Sequence, residues 1–72
     1  MRKVDYLTDV QERILRYIRE SIANRGEAPT VAEIGAEVGL NSRSSVHYQL
    51  GELEAKNAII REPGRPRGIR LA

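Results

Sequence analysis

A chain of 72 residues without cysteine lies near the lower size limit for one domain and forms neither a disulfide nor a thiolate metal site. Phenylalanine and tryptophan are absent, so we expect an aliphatic core of the kind found in compact helical domains. No apolar run reaches about 18 residues and no signal-peptide pattern is present, so we expect a cytoplasmic protein, neither membrane-spanning nor secreted.

The net charge of +2 is modest, but the charges are unevenly distributed. Residues 1–60 carry eight basic and nine acidic side chains, whereas residues 61–72 carry four arginines and one glutamate. A concentrated positive segment beside a nearly neutral body is typical of an element that faces phosphates. A solvated basic tail is the alternative, and charge alone does not decide between the two.

The first predicted helix covers residues 9–25 and follows a lead-in, residues 1–7, that has no periodic pattern. Thr8 is the expected N-cap, and Gln11 three residues later completes a capping box. Gly26 supplies a left-handed stop, and Pro29 prevents the helix from resuming. The apolar residues that recur on one face are Val10, Ile14, Leu15, Ile18 and Ile22.

A second, shorter helix is predicted at residues 31–38. Thr30 and Glu33 form another capping box, and Gly39 ends the helix after about two turns. Gly35 falls on the apolar stripe of this helix, where a glycine costs about 1 kcal/mol relative to alanine. Its position indicates that another helix crosses there with little room.

The third predicted helix runs from about residue 43 to residue 56. Ser42 is its expected N-cap, and Asn57 can adopt the left-handed conformation that closes it. The buried stripe at i, i+4, i+7 spacing consists of Val46, Leu50 and Leu53.

After Asn57 the helical period stops, and a hairpin is predicted at about residues 59–71. Residues 59–61 form the first strand, the turn follows, and residues 68–71 form the second strand with Ile69 and Leu71 on one face. The chain is therefore expected to be one α+β domain, mostly α, over residues 1–72. Its predicted fold is a three-helix winged helix-turn-helix with a C-terminal two-stranded β-hairpin.

The helix pair around Gly39 predicts a function. A short helix, a tight turn and a longer helix form a helix-turn-helix, which places the N-terminal half of the second helix where it can enter a major groove. The hydrogen-bonding side chains that then face outward are the candidates for reading bases: Ser44, Ser45, His47 and Tyr48. Helix pairs of this kind also occur in bundles, where Tyr48 would merely shield part of the core.

The turn of the hairpin alternates arginine with proline and glycine. Such a segment is extended, slim and cationic, and can reach phosphates or lie in a narrow minor groove. We expect neither Arg65 nor Arg67 to be buried. The candidates for contacts with the DNA backbone, at the start of the third helix and in the wing, are Ser42, Arg43, Arg65 and Arg67.

Taken together, spaced elements along nearly the whole chain resemble the N-terminal domain of LexA repressors. The segment from Ser42 to Val46 is similar to the version found in high-GC Gram-positive bacteria. The matching positions are Leu7-Thr8, Gln11, Ile14, Ile18, Pro29-Thr30, Glu33-Ile34, Val38-Gly39-Leu40, Ser42, Leu50, Leu53, Lys56 and Arg67-Gly68-Ile69-Arg70-Leu71.

The resemblance implies a winged helix-turn-helix that reads a palindromic operator and represses DNA-damage genes. The positions at which the family contacts bases and phosphates correspond to Ser42, Ser44, Ser45, His47 and Tyr48. The sequence departs from the family at Asn57, where glycine is usual. It also lacks the half of a LexA repressor that supplies dimerisation and a self-cleaving serine–lysine peptidase, so it is expected to be either an excised domain or a stand-alone relative.

Catalysis by this chain is not expected, and neither is a cofactor or a small-molecule ligand. Serines close to His47 share one short helix without an orienting acid or an oxyanion pocket. His47 is the only histidine, which excludes a histidine-rich metal site, and no glycine loop of the phosphate-binding kind is present. Lys3 and Lys56 are both interpreted as solvated surface residues.

Double-stranded DNA with a palindromic operator is thus the expected partner, bound by two copies of a chain that is monomeric when free. Two alternatives remain open at this point. One is a winged-helix module that binds another protein, and the other is a small regulator of the plasmid or phage type. The slope of DNA affinity against salt concentration separates DNA binding from protein binding, because phosphate contacts release counterions.

Overall fold

A computed structural model describes residues 6–72 and contains three α-helices followed by a two-stranded antiparallel sheet. This architecture confirms the predicted fold class. The expected lead-in at residues 1–7 lies mostly outside the described residues, as does Lys3. The elements are α1 (Asp9–Arg25), α2 (Val31–Val38), α3 (Arg43–Ala55), β1 (Ile59–Arg61) and β2 (Ile69–Leu71).

Side-chain caps determine where α1 and α2 begin. The Thr8 hydroxyl accepts from the Gln11 backbone N–H at 3.2 Å, and the Gln11 side chain accepts from the Thr8 N–H at 3.2 Å. Thr30 and Glu33 repeat the arrangement at the start of α2 with distances of 3.0 and 3.1 Å. Both capping boxes are as predicted, and each satisfies two backbone donors that the helix itself leaves unpaired.

The end of α3 differs from the prediction by one residue, because the helix stops at Ala55 and Lys56 is the cap. Asn57 follows with φ of 64°, the left-handed conformation predicted for it. The Ala58 N–H then donates to the Leu53 carbonyl at 2.9 Å, a bond that closes the helix and redirects the chain into β1. Asparagine thus performs the role that glycine usually has at this position.

The hydrophobic core lies between the three helices and the inner face of the hairpin. Each aliphatic side chain buried there contributes about 1.5–3 kcal/mol. The core residues, all less than a tenth exposed, are Ile14, Leu15, Ile18, Ala28, Ile34, Val38, Val46, Leu50, Leu53, Ile59 and Ile69.

The hairpin pairs Ile59 with Leu71 and Arg61 with Ile69, so these four side chains share one face. β1 packs against α3, and Ile59 and Ile69 are buried. β2 begins at Ile69, one residue later than predicted. Arg61 consequently lies on the side of the wing that faces α3. None of the helices in the described part of the chain is long and apolar enough to cross a membrane.

Candidate nucleic-acid interface

The turn between α2 and α3 is tight. Gly39 has φ of 76°, and the Leu40 N–H donates to the Gly35 carbonyl at 2.9 Å. A Cβ atom on Gly35 would lie 3.0 Å from the Leu40 carbonyl oxygen and 3.3 Å from Cγ2 of Val46. This confirms the predicted close crossing, and it identifies α3 as the helix that crosses.

The first turn of α3 is organised by a pair of serines. The Ser42 hydroxyl accepts from the Ser45 backbone N–H at 3.1 Å, and the same hydroxyl donates to Ser45 Oγ at 3.0 Å. Ser42 is therefore engaged as an N-cap, as predicted. A hydroxyl has one donor and two acceptor positions, so Ser45 has capacity for a further hydrogen bond beside its contact with Ser42.

The four candidates for base reading lie on one exposed face of α3. Val46 and Leu50 point into the core, which turns the opposite side of the helix to solvent, and Tyr48 is 65% exposed. The neighbouring Arg43 is also exposed, on the first turn of the helix. The exposed candidates are Ser44, Ser45, His47 and Tyr48. The structure thus brings together every α3 residue singled out from the sequence.

The tip of the wing is held in shape by its backbone. The Glu62 N–H donates to the Gly68 carbonyl at 2.7 Å, and the Gly68 N–H donates to the Arg65 carbonyl at 3.0 Å. A Cβ on Gly68 would lie 2.6 Å from the Glu62 carbonyl oxygen, so the turn requires glycine there. The Arg65 side chain is 73% exposed, and its contact with Glu62 is long, at 3.8 Å. Its guanidinium is therefore available to a partner.

Neither wing arginine is buried, as expected, but Arg67 is only partly exposed and its guanidinium is bound by other residues. Its Nη1 and Nη2 atoms donate to the two carboxylate oxygens of Glu33, both at 3.0 Å, and Nη1 also donates to the Ala28 carbonyl at 2.8 Å. The Arg67 side chain is only 35% exposed. Bidentate pairs of this geometry are the stronger kind of ion pair. Arg67 thus ties the wing to the start of α2.

These contacts perturb the titration of both partners. Hydrogen bonds from the Arg67 guanidinium, and then from the Thr30 backbone N–H, lower the pKa of Glu33 from 4.5 to about 2. The hydrogen bond to Glu33 in turn raises the pKa of Arg67 above its ordinary value. Glu33 therefore remains ionised throughout the neutral range and keeps the negative charge that this ion pair requires.

A third wing arginine, Arg61, reaches α3 and was not singled out from the sequence as a site residue. Its Nη1 lies 3.3 Å from Nδ1 of His47, and its Nε lies 3.4 Å from the Glu54 carboxylate. His47 and Glu54 are seven residues apart, which places them two turns apart on one side of α3. That spacing was the available signal, but only the hairpin register shows that Arg61 faces them.

Lys56 is likewise not the solvated surface residue that was expected. Its Nζ donates to Gln11 Oε1 at 2.7 Å and to the Tyr6 carbonyl at 3.2 Å, and it lies 5.3 Å from the centroid of the Tyr6 ring. The Nε2 of Gln11, a residue only 3% exposed, donates to Gln49 at 2.9 Å. This network joins the start of α1 to the exposed helix α3.

An open groove of about 360 Å³ separates α3 from the wing. His47 of α3 lines this groove, together with Arg61 of β1 and Arg65 of the wing tip. Within residues 6–72, no three histidine, aspartate or glutamate side chains are grouped so that they could hold a metal ion.

Comparison with known proteins identifies relatives of the chain. The LexA repressor of Corynebacterium glutamicum is 49% identical over 63 residues, which are 88% of this chain and 27% of that protein. The LexA repressor of Streptomyces coelicolor is 51% identical over 65 residues, 90% of this chain and 28% of that protein. The LexA repressor of Clostridium acetobutylicum is 48% identical over 63 residues, 88% of this chain and 31% of that protein.

The chain therefore spans less than a third of the length of these relatives. The sequence model of the family described as the LexA DNA binding domain matches residues 4–68. This range includes α1, α2, α3, β1 and the tip of the wing. The resemblance noted in the sequence is confirmed. The chain belongs to the LexA DNA-binding domain family.

Proposed function

We propose that the chain is the operator-reading part of a transcriptional repressor of DNA-damage genes, acting in the cytoplasm by sequence-specific binding of double-stranded DNA. Membership of the LexA DNA-binding domain family supports this function, and the relatives compared above are LexA repressors. The role proposed for these residues is binding without catalysis, since the peptidase activity implied for whole LexA repressors belongs to another half of the protein.

In the proposed complex the N-terminal half of α3 enters the major groove. The observation that carries this proposal is the polar face of α3, on which four neighbouring hydrogen-bonding side chains are exposed while Val46 is buried. Serine can donate to or accept from any base, and tyrosine and histidine can hydrogen-bond or contact a thymine methyl group. The base-reading residues we propose are Ser44, Ser45, His47 and Tyr48.

Contacts with the sugar–phosphate backbone are proposed for Ser42, Arg43 and Arg65. Arg65 at the tip can reach a phosphate or the minor groove, because its ion pair with Glu62, the one it makes within residues 6–72, is long and solvent-exposed. For Arg67 we propose a holding role first, since Glu33 and Ala28 already occupy its guanidinium. A DNA contact by Arg67 would have to use its remaining N–H groups.

The test begins with selection of bound sites from random duplex DNA, followed by measurements on the selected site and on a random duplex. We expect Tyr48→Ala and Ser44→Ala each to weaken binding to the selected site by about 1–3 kcal/mol and to leave binding to the random duplex nearly unchanged. Tyr6→Ala is the matched control, because it removes an exposed tyrosine outside α3.

Equal weakening on both duplexes would show that this face of α3 does not read bases. A chain whose selection returns no preferred site, and whose affinity shows no slope against salt concentration, would instead be a protein-interaction module.

A further inference from the structure

The contact between the wing and α3 has a chemical consequence for His47. Arg61 Nη1 lies 3.3 Å from the Nδ1 atom of the imidazole. The other side of the guanidinium is fixed, because Arg61 Nε donates to the Glu54 carboxylate at 3.4 Å and the Arg61 backbone N–H donates to the same carboxylate at 3.4 Å. The Arg61 side chain is 30% exposed, so it lies largely against the protein.

Only one protonation pattern of a neutral His47 is compatible with this contact. A guanidinium has five N–H donors and no acceptor, and it stays protonated throughout the accessible pH range. Arg61 therefore donates, and Nδ1 must offer its lone pair. A neutral imidazole carries its single proton on the other nitrogen, so Nε2 is an N–H donor.

The donor on Nε2 belongs to an exposed side chain on the outward face of α3. We propose that Arg61 is a positioning residue that holds His47 as a hydrogen-bond donor, and that His47 thereby recognises a purine N7 atom in the operator. This inference rests on the proposed function. N7 is an acceptor that adenine and guanine share on the major-groove edge, guanine O6 and thymine O4 are further acceptors, and cytosine presents an amino donor there. A lone donor aimed at N7 is therefore compatible with either purine and is mismatched with cytosine.

Two substitutions separate this role from a direct contact between Arg61 and a phosphate. Arg61→Ala removes both the positive charge and the planar guanidinium. Arg61→Lys keeps the charge but replaces the guanidinium, whose N–H groups contact both Glu54 and His47, with a flexible ammonium group. Arg70→Ala is the matched control, because Arg70 lies on the neighbouring strand and pairs with Glu62.

The first measurement uses the free protein and does not depend on DNA binding. Nitrogen-15 NMR of the imidazole at about pH 9, above the usual range of histidine titration, reports which ring nitrogen carries the proton. We expect the proton on Nε2 in the wild type and in Arg70→Ala, and a mixture of the two forms in Arg61→Ala. An equal distribution of the proton over the two ring nitrogens in the wild type and in Arg61→Ala would overturn the proposal.

The second measurement uses a site selected from random DNA in which 7-deazapurines replace the purines one at a time. At one position we expect the wild type to bind about five-fold more weakly, the size of one net hydrogen bond. That dependence should disappear in His47→Ala, fall below about two-fold in Arg61→Ala and Arg61→Lys, and persist in Arg70→Ala.

Two results would contradict the positioning role while leaving the proposed function intact. One is sequence-specific binding in which the N7 dependence is absent or is retained by Arg61→Lys. The other is an Arg61→Ala protein whose N7 dependence is unchanged while its log–log salt slope falls by about 1, which is the signature of a phosphate contact.

Discussion

Glu33 takes part in two interactions that are usually made by separate residues. Its carboxylate completes the capping box of α2 by accepting from the Thr30 N–H, and it also accepts both arms of the Arg67 guanidinium. The two roles are compatible because a carboxylate offers about four acceptor positions. Glu33 therefore couples the start of the helix-turn-helix to the end of the wing turn.

The lowered pKa of Glu33 makes part of the folding stability dependent on pH. The pKa is about 2 in the folded chain against an ordinary value of 4.5, so the stabilisation is complete above about pH 4.5 and is lost as the pH falls toward 2. We expect Glu33→Gln to lower the melting temperature at pH 7 and to flatten its decline between about pH 4.5 and pH 2. Thermal unfolding followed by circular dichroism across this range measures both effects.

Glutamine preserves the capping box, which accepts either residue at this position, so the substitution removes only the charge of Glu33, which pairs with Arg67 at 3.0 Å and with Arg25 at 3.5 Å. Arg67→Ala serves as the partner in a double-mutant cycle. The double variant should melt close to the less stable single variant. If the two substitutions lower the melting temperature additively, or if the melting temperature of Glu33→Gln falls with acid as in the wild type, the pair with Arg67 does not stabilise the fold.

Gly35 and Gly51 are both helical glycines, but only one of them has a close neighbour. A Cβ on Gly35 would lie 3.0 Å from the Leu40 carbonyl oxygen, whereas nothing lies within 4 Å of a Cβ on Gly51. We expect Gly51→Ala to stabilise the chain by up to about 1 kcal/mol and Gly35→Ala to destabilise it by about 1 kcal/mol. Urea unfolding of the two variants measures the difference, and stabilisation by both would show that α2 and α3 separate easily.

Some of these residue properties could be predicted from the sequence and others could not. The close approach at Gly35 and the left-handed Asn57 follow from local preferences, which a glycine or asparagine in a helical pattern reveals. The contacts of Lys56 with Gln11 and of Arg67 with Glu33 span 45 and 34 residues. Such pairings depend on how the helices and strands pack, and neither the amino-acid composition nor the spacing of the apolar residues encodes them.

The wing is anchored at one end of its turn and free at the tip. Arg67 is bound to Glu33 and Ala28, whereas the Arg65 side chain is 73% exposed. The two arginines looked equivalent in the sequence, since both lie in the same short cationic turn. Their different surroundings arise from the backbone of the turn, which directs only one of them toward α2.

Substituting the two arginines separately should therefore give different results. We expect Arg65→Ala to weaken binding to every duplex, to lower the log–log salt slope by up to about 1, and to change stability by less than about 0.5 kcal/mol. Arg67→Ala should chiefly lower the melting temperature. Titrations at several salt concentrations, together with thermal melts, distinguish the two patterns. Identical behaviour of the two variants would contradict the holding role of Arg67.

The helices of this chain were easier to predict than the way they are joined. Thr8, Thr30 and Ser42 mark the helix starts because a capping side chain and its partner lie within three residues of each other. The contact between Arg61 and His47 required the register of the hairpin, which a short turn rich in proline and glycine does not specify. The candidate base-reading face was thus visible in the sequence, whereas the contact of the wing with His47 on that face was not.

The whole molecule is small compared with an operator. Its extents are 30 × 24 × 22 Å, and half-sites separated by one turn of DNA are about 34–36 Å apart. Two copies of this size would therefore fit side by side on half-sites separated in this way. One module of this size buries roughly 600–1,000 Å² of protein surface on DNA, which is little for tight and selective binding.

We accordingly propose that the chain is a monomer in solution, that one copy binds a half-site weakly, and that two copies bind a palindrome. Most apolar side chains of the described residues are buried in the core and are not available for a dimer interface. The large exposed ones are Tyr6, Tyr48, Ile60 and Leu71. Linking two copies with a flexible tether should raise affinity for a correctly spaced palindrome by about 10²–10⁴, because the second copy binds at a high effective concentration.

Sedimentation of the free chain at high concentration and binding to palindromes of altered spacing test this assembly together. Inserting about five base pairs between the half-sites rotates one half-site to the opposite side of the duplex, where the tethered partner no longer reaches its bases. We expect the gain from tethering to vanish on that site and to return when a full helical turn is inserted, provided that the tether spans the added length. A stable dimer without DNA, or tethered binding that ignores the spacing, would contradict the proposed assembly.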